Sequence, residues 1–270
     1  MRHWRVGTSG FAYDEWIGSF YPEELPGAQR LAYYAARLPA VEINNTFYRM
    51  PRAAVLEGWA AQAGPGFRFA IKAPRRITHA KTGEDTSEAA AHLFRVTGAL
   101  GESCGPVLFQ LPPWARKDVP RLRAWLAAAP SGRQVALEVR HPSWLDDEVF
   151  DALREAGAAL CAADFDEPHR SVPLVATARF GYLRLRAADY DDTALRRWAD
   201  EIAAQPWDEA YVFFKHEDAG AAPRLAARLL ELATGEAPAV RTPRRAEPPP
   251  RQPARARPAA TRRRREPDAG

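Results

Sequence analysis

The sequence predicts a single (β/α)8 barrel of the TIM type followed by a basic tail. Eight short β-preferring apolar runs alternate with helical patterns almost throughout, as a parallel sheet with crossover helices requires. These units fit into roughly 230 residues, an ordinary length for one closed barrel. From Gly235 onward the composition turns to Pro, Arg and Ala without apolar periodicity, a segment unable to bury enough surface to fold. The expected organisation is therefore a barrel domain at 1–234 and a disordered Pro/Arg-rich tail at 235–270. An open doubly wound sheet is the structural alternative.

Taken in order, the first strand is expected at Trp4–Ser9, closing on the small turn Gly7-Thr8-Ser9-Gly10. An aromatic loop follows, then a helix over Gly27–Leu38 whose apolar residues recur at three and four before Pro39 stops it. Ala40–Ile43 forms the second strand, and Pro51 opens a helix running to Ala63. Phe67–Lys72 is the third strand, followed by a basic loop (Arg75, Arg76, His79, Lys81) and a helix over Thr86–Leu100. Pro106–Leu111 is the fourth, stopped by Pro112-Pro113, with a helix over Val119–Ala129 behind it. The fifth is the run beginning at Val135, ending at or just before His141 because the residue preceding a proline leaves the helical region. Asp146 caps a helix over Asp147–Ala156. Ala158–Ala163, Phe180–Leu185 and Glu209–Phe214 complete the strands, with helices reaching Ala204 and over Pro223–Ala233. Between the sixth and seventh strands, Glu167–Ala178 holds two prolines and no helical pattern.

The whole chain carries +4, but the segment from Gly235 has ten arginines against four acids, so residues 1–234 carry −2. A near-neutral body gives no electrostatic reason for tight nucleic-acid binding; only the tail offers one. Cys104 and Cys161 do not make a disulfide framework and point to a reducing cytoplasm. The N-terminus lacks a signal-peptide core, and no apolar run approaches the ~18 residues of a membrane span.

In a barrel of this kind the site lies at the C-terminal ends of the strands. That rule gathers Glu42, Asn44, Asn45 and Tyr48 from the second strand, Lys72 from the third and Gln110 from the fourth. Glu138, Arg140 and His141 come from the fifth, Asp164 from the sixth, Arg184 and Arg186 from the seventh, and Lys215, His216 and Glu217 from the eighth. Glu42 and Glu138 are the pair to divide acid and base duties; buried ion pairing is the alternative duty for each. Glu42, Glu138, Asp164 and His216 are the candidate ligands for a divalent metal, although no short-spaced motif supports one. His141 could fix the His-Pro turn or serve as a catalytic imidazole. The Gly7–Gly10 turn could offer donors to a phosphate, but a simple βα turn explains it as well. Tyr48 and Trp144 are among the loop aromatics available for stacking on a ligand or for packing against the rim.

Six segments together resemble the YecE-like family, a widespread group of unknown function. They are Val6–Phe11, Ser19–Pro22, Val41–Tyr48, Phe67–Lys72, Gly105–Pro113 and Glu138–Trp144. The resemblance covers residues 4 to about 232, leaves out the tail after Gly235, and implies a TIM-type barrel but no activity. Two departures stand out. Arg186-Ala187 replaces a His-Gly pair that many members carry after strand seven, and Phe214-Lys215-His216-Glu217-Asp218 replaces an Asn-rich stretch after strand eight.

The leading functional expectation is a cytoplasmic enzyme of hydrolase type. It would act on a small polar or anionic substrate by acid–base or metal-assisted chemistry. Glu42, Glu138, His141 and Asp164 are its catalytic candidates. Lys72, Arg140 and Arg186 would orient anionic groups; Asn44, Asn45 and Gln110 would position hydroxyls; Tyr48 and Trp144 would add stacking surface. The alternatives are a nucleic-acid-associated protein using the tail and loop aromatics, and a non-catalytic ligand-binding barrel. The oligomeric state is left open.

Overall fold

The structure is a computed structural model and describes residues 2–81, 83–165, 171–215 and 220–236. Eight parallel strands close into a barrel in sequence order, each hydrogen-bonded to the next and the eighth to the first. They are β1 His3–Ser9, β2 Ala40–Ile43, β3 Arg68–Lys72, β4 Cys104–Gln110, β5 Val135–Glu138, β6 Ala159–Asp164, β7 Phe180–Leu185 and β8 Glu209–Phe214. The helices are α1 Arg30–Ala35, α2 Ala53–Ala63, α3 Arg75–Thr78, α4 Ser87–Thr97, α5 Val119–Ala127, α6 Asp147–Ala156, α7 Asp192–Ala203 and α8 Ala221–Thr234. They are not distributed one per strand. Both α3 and α4 follow β3, while among the described residues none lies between β6 and β7, where Val172 instead bridges back to Ala163.

The alternation of the strands sorts side chains into two cores. Inward-facing Ala40, Ala70, Leu108, Ala136, Cys161, Tyr182, Tyr211 and Phe213 fill the lumen. Outward-facing Val41, Phe69, Ile71, Val107, Leu137 and Leu183 pack under the helices. Below the inner core, Glu209 accepts hydrogen bonds from Arg5 Nε at 2.6 Å, Gln134 Nε2 at 3.1 Å and the Tyr211 hydroxyl at 3.0 Å. The N-terminal end of the barrel is thus closed by a paired polar layer, which leaves the C-terminal end as the open one.

Most boundaries fall within a residue or two of expectation, and the departures have local causes. The first helix begins with a 3-10 turn at Gly27–Gln29, so its α-helical part is short. The fourth helix gives way at Gly98 to a 3-10 stretch in which Gly101 takes φ 54°. Pro74 starts one helical turn inside the expected basic loop. The first strand runs on through Ser9, and the turn is confined to Gly10 at φ 94°.

Gly7 has a different task. A Cβ there would lie 1.9 Å from the Ala40 carbonyl oxygen and 2.9 Å from the Tyr34 hydroxyl. Its missing side chain lets β1 and β2 approach at the height where the polar site begins. Gly7→Ala is expected to destabilise the barrel by about 2–3 kcal/mol through forced strand separation. Denaturant unfolding checks this, and an unchanged midpoint would contradict it.

Candidate functional site

The ends of β2, β5 and β7 meet on one guanidinium. Arg184, 1% exposed, donates from Nη2 to Glu42 Oε1 at 2.7 Å and from Nη1 to Glu138 Oε2 at 2.6 Å. Both carboxylates are fully buried. Around them, Ser9 Oγ donates to Glu42 Oε1, Tyr182 to Glu42 Oε2 at 2.7 Å, and Gln110 Nε2 to Glu138 Oε2 at 2.6 Å. The register explains the gathering: Ser9 pairs with Glu42, and Gln110 with Glu138, so each acceptor faces a donor on the neighbouring strand. Glu138 follows inward-facing Ala136 by two residues, which turns it into the lumen.

Three more cations border this cluster. Arg140 lies just past the end of β5, yet its Nε still reaches Glu138 Oε1 at 3.2 Å, with 28% of its side chain exposed. Arg186 Nη2 is 3.5 Å from Glu138 Oε2, and its guanidinium lies over the Phe165 ring. Lys72 follows inward-facing Ala70 by two residues, and its Nζ sits 4.2 Å from the centre of the Phe47 ring. Among the described residues no carboxylate lies within 4 Å of that amine. Lys72, Arg140, Arg184 and Arg186 therefore face two carboxylates, an excess of positive charge at the mouth.

The electrostatics separate the roles. Burial works against the charge of Glu138, but Arg184 and Arg140 overcome it and hold its carboxyl below the usual carboxylate range. Burial also opposes the charge on Arg184, and Glu42 and Glu138 more than offset it, raising its pKa. Tyr182 is pushed well up by burial and by Glu42 and stays a phenol donor. Lys72 goes the other way: burial, reinforced by Arg184, lowers it to about 8 against the pull of the two glutamates.

The remaining predicted residues are not in this cluster. Asp164 shares its strand face with Leu160 and Ala162 of the outer core and accepts a hydrogen bond from Tyr190 at 2.9 Å. His141 Nδ1 turns back on Ser143, accepting from its backbone N–H at 3.1 Å, and so fixes the His-Pro turn. Trp144 is buried and donates to the Ala115 carbonyl at 2.9 Å, which makes it packing rather than ligand surface. Asn44 and Asn45 line a neighbouring cleft of about 280 Å³ with Gly10, Phe11 and Tyr13. Tyr48 stands 84% exposed at the rim.

The expected metal set does not assemble. Asp164 faces away from the glutamates, His216 lies outside the described residues, and no three His, Cys, Asp or Glu side chains among the described residues could hold a metal ion. Nor is Gly7–Gly10 a phosphate cradle, since Thr8 N–H donates to the Tyr34 hydroxyl and Gly10 N–H to the Glu42 carbonyl.

Ser9 and Tyr182 are members to which sequence reasoning assigned no site role, and Arg184 was gathered at the mouth but given no duty there. Its spacing of two from Tyr182 on β7 and from Arg186 just past the strand's end is the signal that marks all three as one face.

Fold and site together define a TIM-type barrel with a buried ionic cluster at the C-terminal ends of its strands. The chain belongs to the family described as "Protein of unknown function DUF72", whose model matches residues 5–253. That match runs past Gly235, where the resemblance was expected to stop. The chain is 27% identical over 236 residues to the UPF0759 protein YunF of Bacillus subtilis, covering 78% of each. It is 24% identical over 257 residues to the UPF0759 protein YecE of Escherichia coli K12, covering 84% of this chain and 91% of that one. A DUF72 family protein from Thermotoga maritima superposes with a TM-score of 0.73 at 25% identity, covering 86% of this chain and 99% of that one. Another, from Enterococcus faecalis, shares the fold at a TM-score of 0.70 and 18% identity, covering 90% and 100%. No helix among the described residues is long and apolar enough to cross a membrane.

Proposed function

We propose that the barrel is an enzyme acting on a small anionic substrate at the strand ends, with Lys72 as the group that changes protonation. The carrying observation is the Lys72 amine, unpaired by any described carboxylate, lowered to about 8 and bordered by arginines. A group titrating near the working pH is suited to proton transfer. The division of acid and base between Glu42 and Glu138 expected from the sequence is not favoured, because both carboxylates are buried and ion-paired to the same arginine. Their better-supported duty is to hold Arg184 fixed while Arg140 and Arg186, nearer solvent, take the anion. Hydrolysis as the reaction class finds no specific support in this geometry. The nucleic-acid reading rests on a tail that lies mostly outside the described residues, and nothing at the mouth adds to it.

The test is a panel of small carboxylates and phosphates screened by thermal shift and calorimetry. Arg140→Gln and Arg186→Gln are each expected to weaken the best binder about tenfold, or ~1.4 kcal/mol. Binding that is indifferent to both substitutions would place the ligand elsewhere.

A further inference from the structure

Cations in this chain are written almost entirely as arginine: 34 arginines stand against four lysines. Arginine cannot be deprotonated in a protein, so a position that needs only positive charge is served by either residue, whereas a position that needs a free amine is not. Lys117 is bound to Asp146 and Glu148 on the flank, and Lys81 and Lys215 are exposed. The fourth, Lys72, is the lysine at the centre of the charged mouth, where the charges of Arg184, Glu42, Glu138 and Arg140 all act on it. One side of its amine lies against the apolar face of Phe47.

We infer that Lys72 is a covalent nucleophile that forms an imine with a 2-oxo acid. The inference rests on the reading of the mouth as a small-anion site and adds what the amine does there. A 2-oxo acid carries a carboxylate next to a carbonyl, which matches arginines placed beside one amine. Arg140 and Arg186 take the carboxylate, and the neutral Nζ adds its lone pair to the carbonyl carbon, breaking the C=O π bond to give a carbinolamine. The former carbonyl oxygen then leaves as water, carrying away both protons of the amine, and a C=N bond remains. No oxidant or reductant enters. Nucleophilic lysines of this type are activated by burial and by neighbouring cations, and Lys72 has both, burial being the larger effect.

The full-length protein is incubated with glyoxylate, pyruvate or 2-oxoglutarate at pH 8 and treated with borohydride. Borohydride delivers hydride to the imine carbon and locks it as a secondary amine. Peptide mass mapping across the four lysines reads the result. Lys72 is expected to be labelled at least tenfold more than Lys81 or Lys215 by at least one of the three acids. Propanal, which has the carbonyl but no carboxylate, should show no such preference. Lys72→Arg should lose the label while still binding oxalate, an anion that cannot form an imine. In the wild type, oxalate should block labelling of Lys72. Even labelling of all lysines, or none at Lys72 while oxalate still binds, overturns the covalent role and leaves the anion site standing. No labelling and no oxalate binding overturns both. A brace role for Lys72 against Phe47 predicts none of the carboxylate preference.

Discussion

Replacing Arg184 with Met is expected to destabilise the protein by about 3–5 kcal/mol, enough to unfold a barrel of marginal stability. The cost is not mainly the two ion pairs themselves. Desolvating a carboxylate is expensive, and Arg184 is the cation common to both buried glutamates. Without it, Glu42 keeps, among the described residues, Ser9 and Tyr182 as side-chain donors, and Glu138 keeps Gln110 with the more exposed Arg140 and Arg186. Arg184→Lys should recover little, since one ammonium cannot span two carboxylates on strands 142 and 46 residues away in sequence. The decisive variant combines Arg184→Met with Glu42→Gln and Glu138→Gln. If the loss comes from uncompensated charge, the triple variant should regain most of it in denaturant unfolding. A triple variant as unstable as Arg184→Met would instead attribute the loss to packing of the long side chain.

This cluster also marks where the sequence stops being readable. The limits of β7, β8 and α6 coincide with expectation, because turn residues or a capping Asp bound each of those apolar patterns. The closed barrel followed from counting such units. The site was half legible: the strand-end rule named Glu42, Lys72, Gln110, Glu138, Arg140 and Arg186, and the structure joins them. It did not say which charge meets which, because that depends on the stagger between strands far apart in sequence, and no local pattern encodes stagger. Asp164 could have been read better. Its two-residue spacing from Ala162 and Leu160 places it on the outer face, whatever its position at the strand end suggests. His141 and Trp144 were drawn toward the site by their place after β5, whereas their hydrogen bonds serve the turn and the packing beneath it.

The two stretches expected to depart from the family's pattern differ in what the structure says of them: Arg186 is placed, and His216 lies outside the described residues. Arg186 stands where many relatives are expected to carry histidine, and here it extends the guanidinium cluster toward Glu138 and Phe165. Its Nε is buried without a hydrogen-bond partner among the described residues, an uncommon state for a guanidinium that a bound anion at the mouth would relieve. Arg184 shares that feature, so two arginines at the end of β7 hold donors unused among the described residues.

Lys72→Met should make the protein more stable and chemically silent at once. The folded pKa of Lys72 is about 8 against 10.5 for the free side chain, so folding disfavours its charge. Between pH 8 and 10.5 the unfolded chain binds more protons than the native one, and stability therefore rises with pH across that window. Below pH 8 the penalty is present in full; the shift corresponds to about 3 kcal/mol, which solvent screening of the partly exposed amine brings down to roughly 2 kcal/mol. Methionine keeps the apolar stem against Phe47 and removes the charge, so the variant should exceed the wild type by about that amount at pH 7. The gap should narrow steadily as the pH is raised from 8 through 10.5, because above 10.5 the wild-type amine is neutral in both states. Denaturant unfolding at several pH values reads both features. A stabilised variant that neither turns over substrate nor accepts the borohydride label is the signature of a residue retained for chemistry at the expense of stability. If Lys72→Met is instead less stable at pH 7, the amine is bracing the barrel mouth, and its charge is a net contributor to the fold.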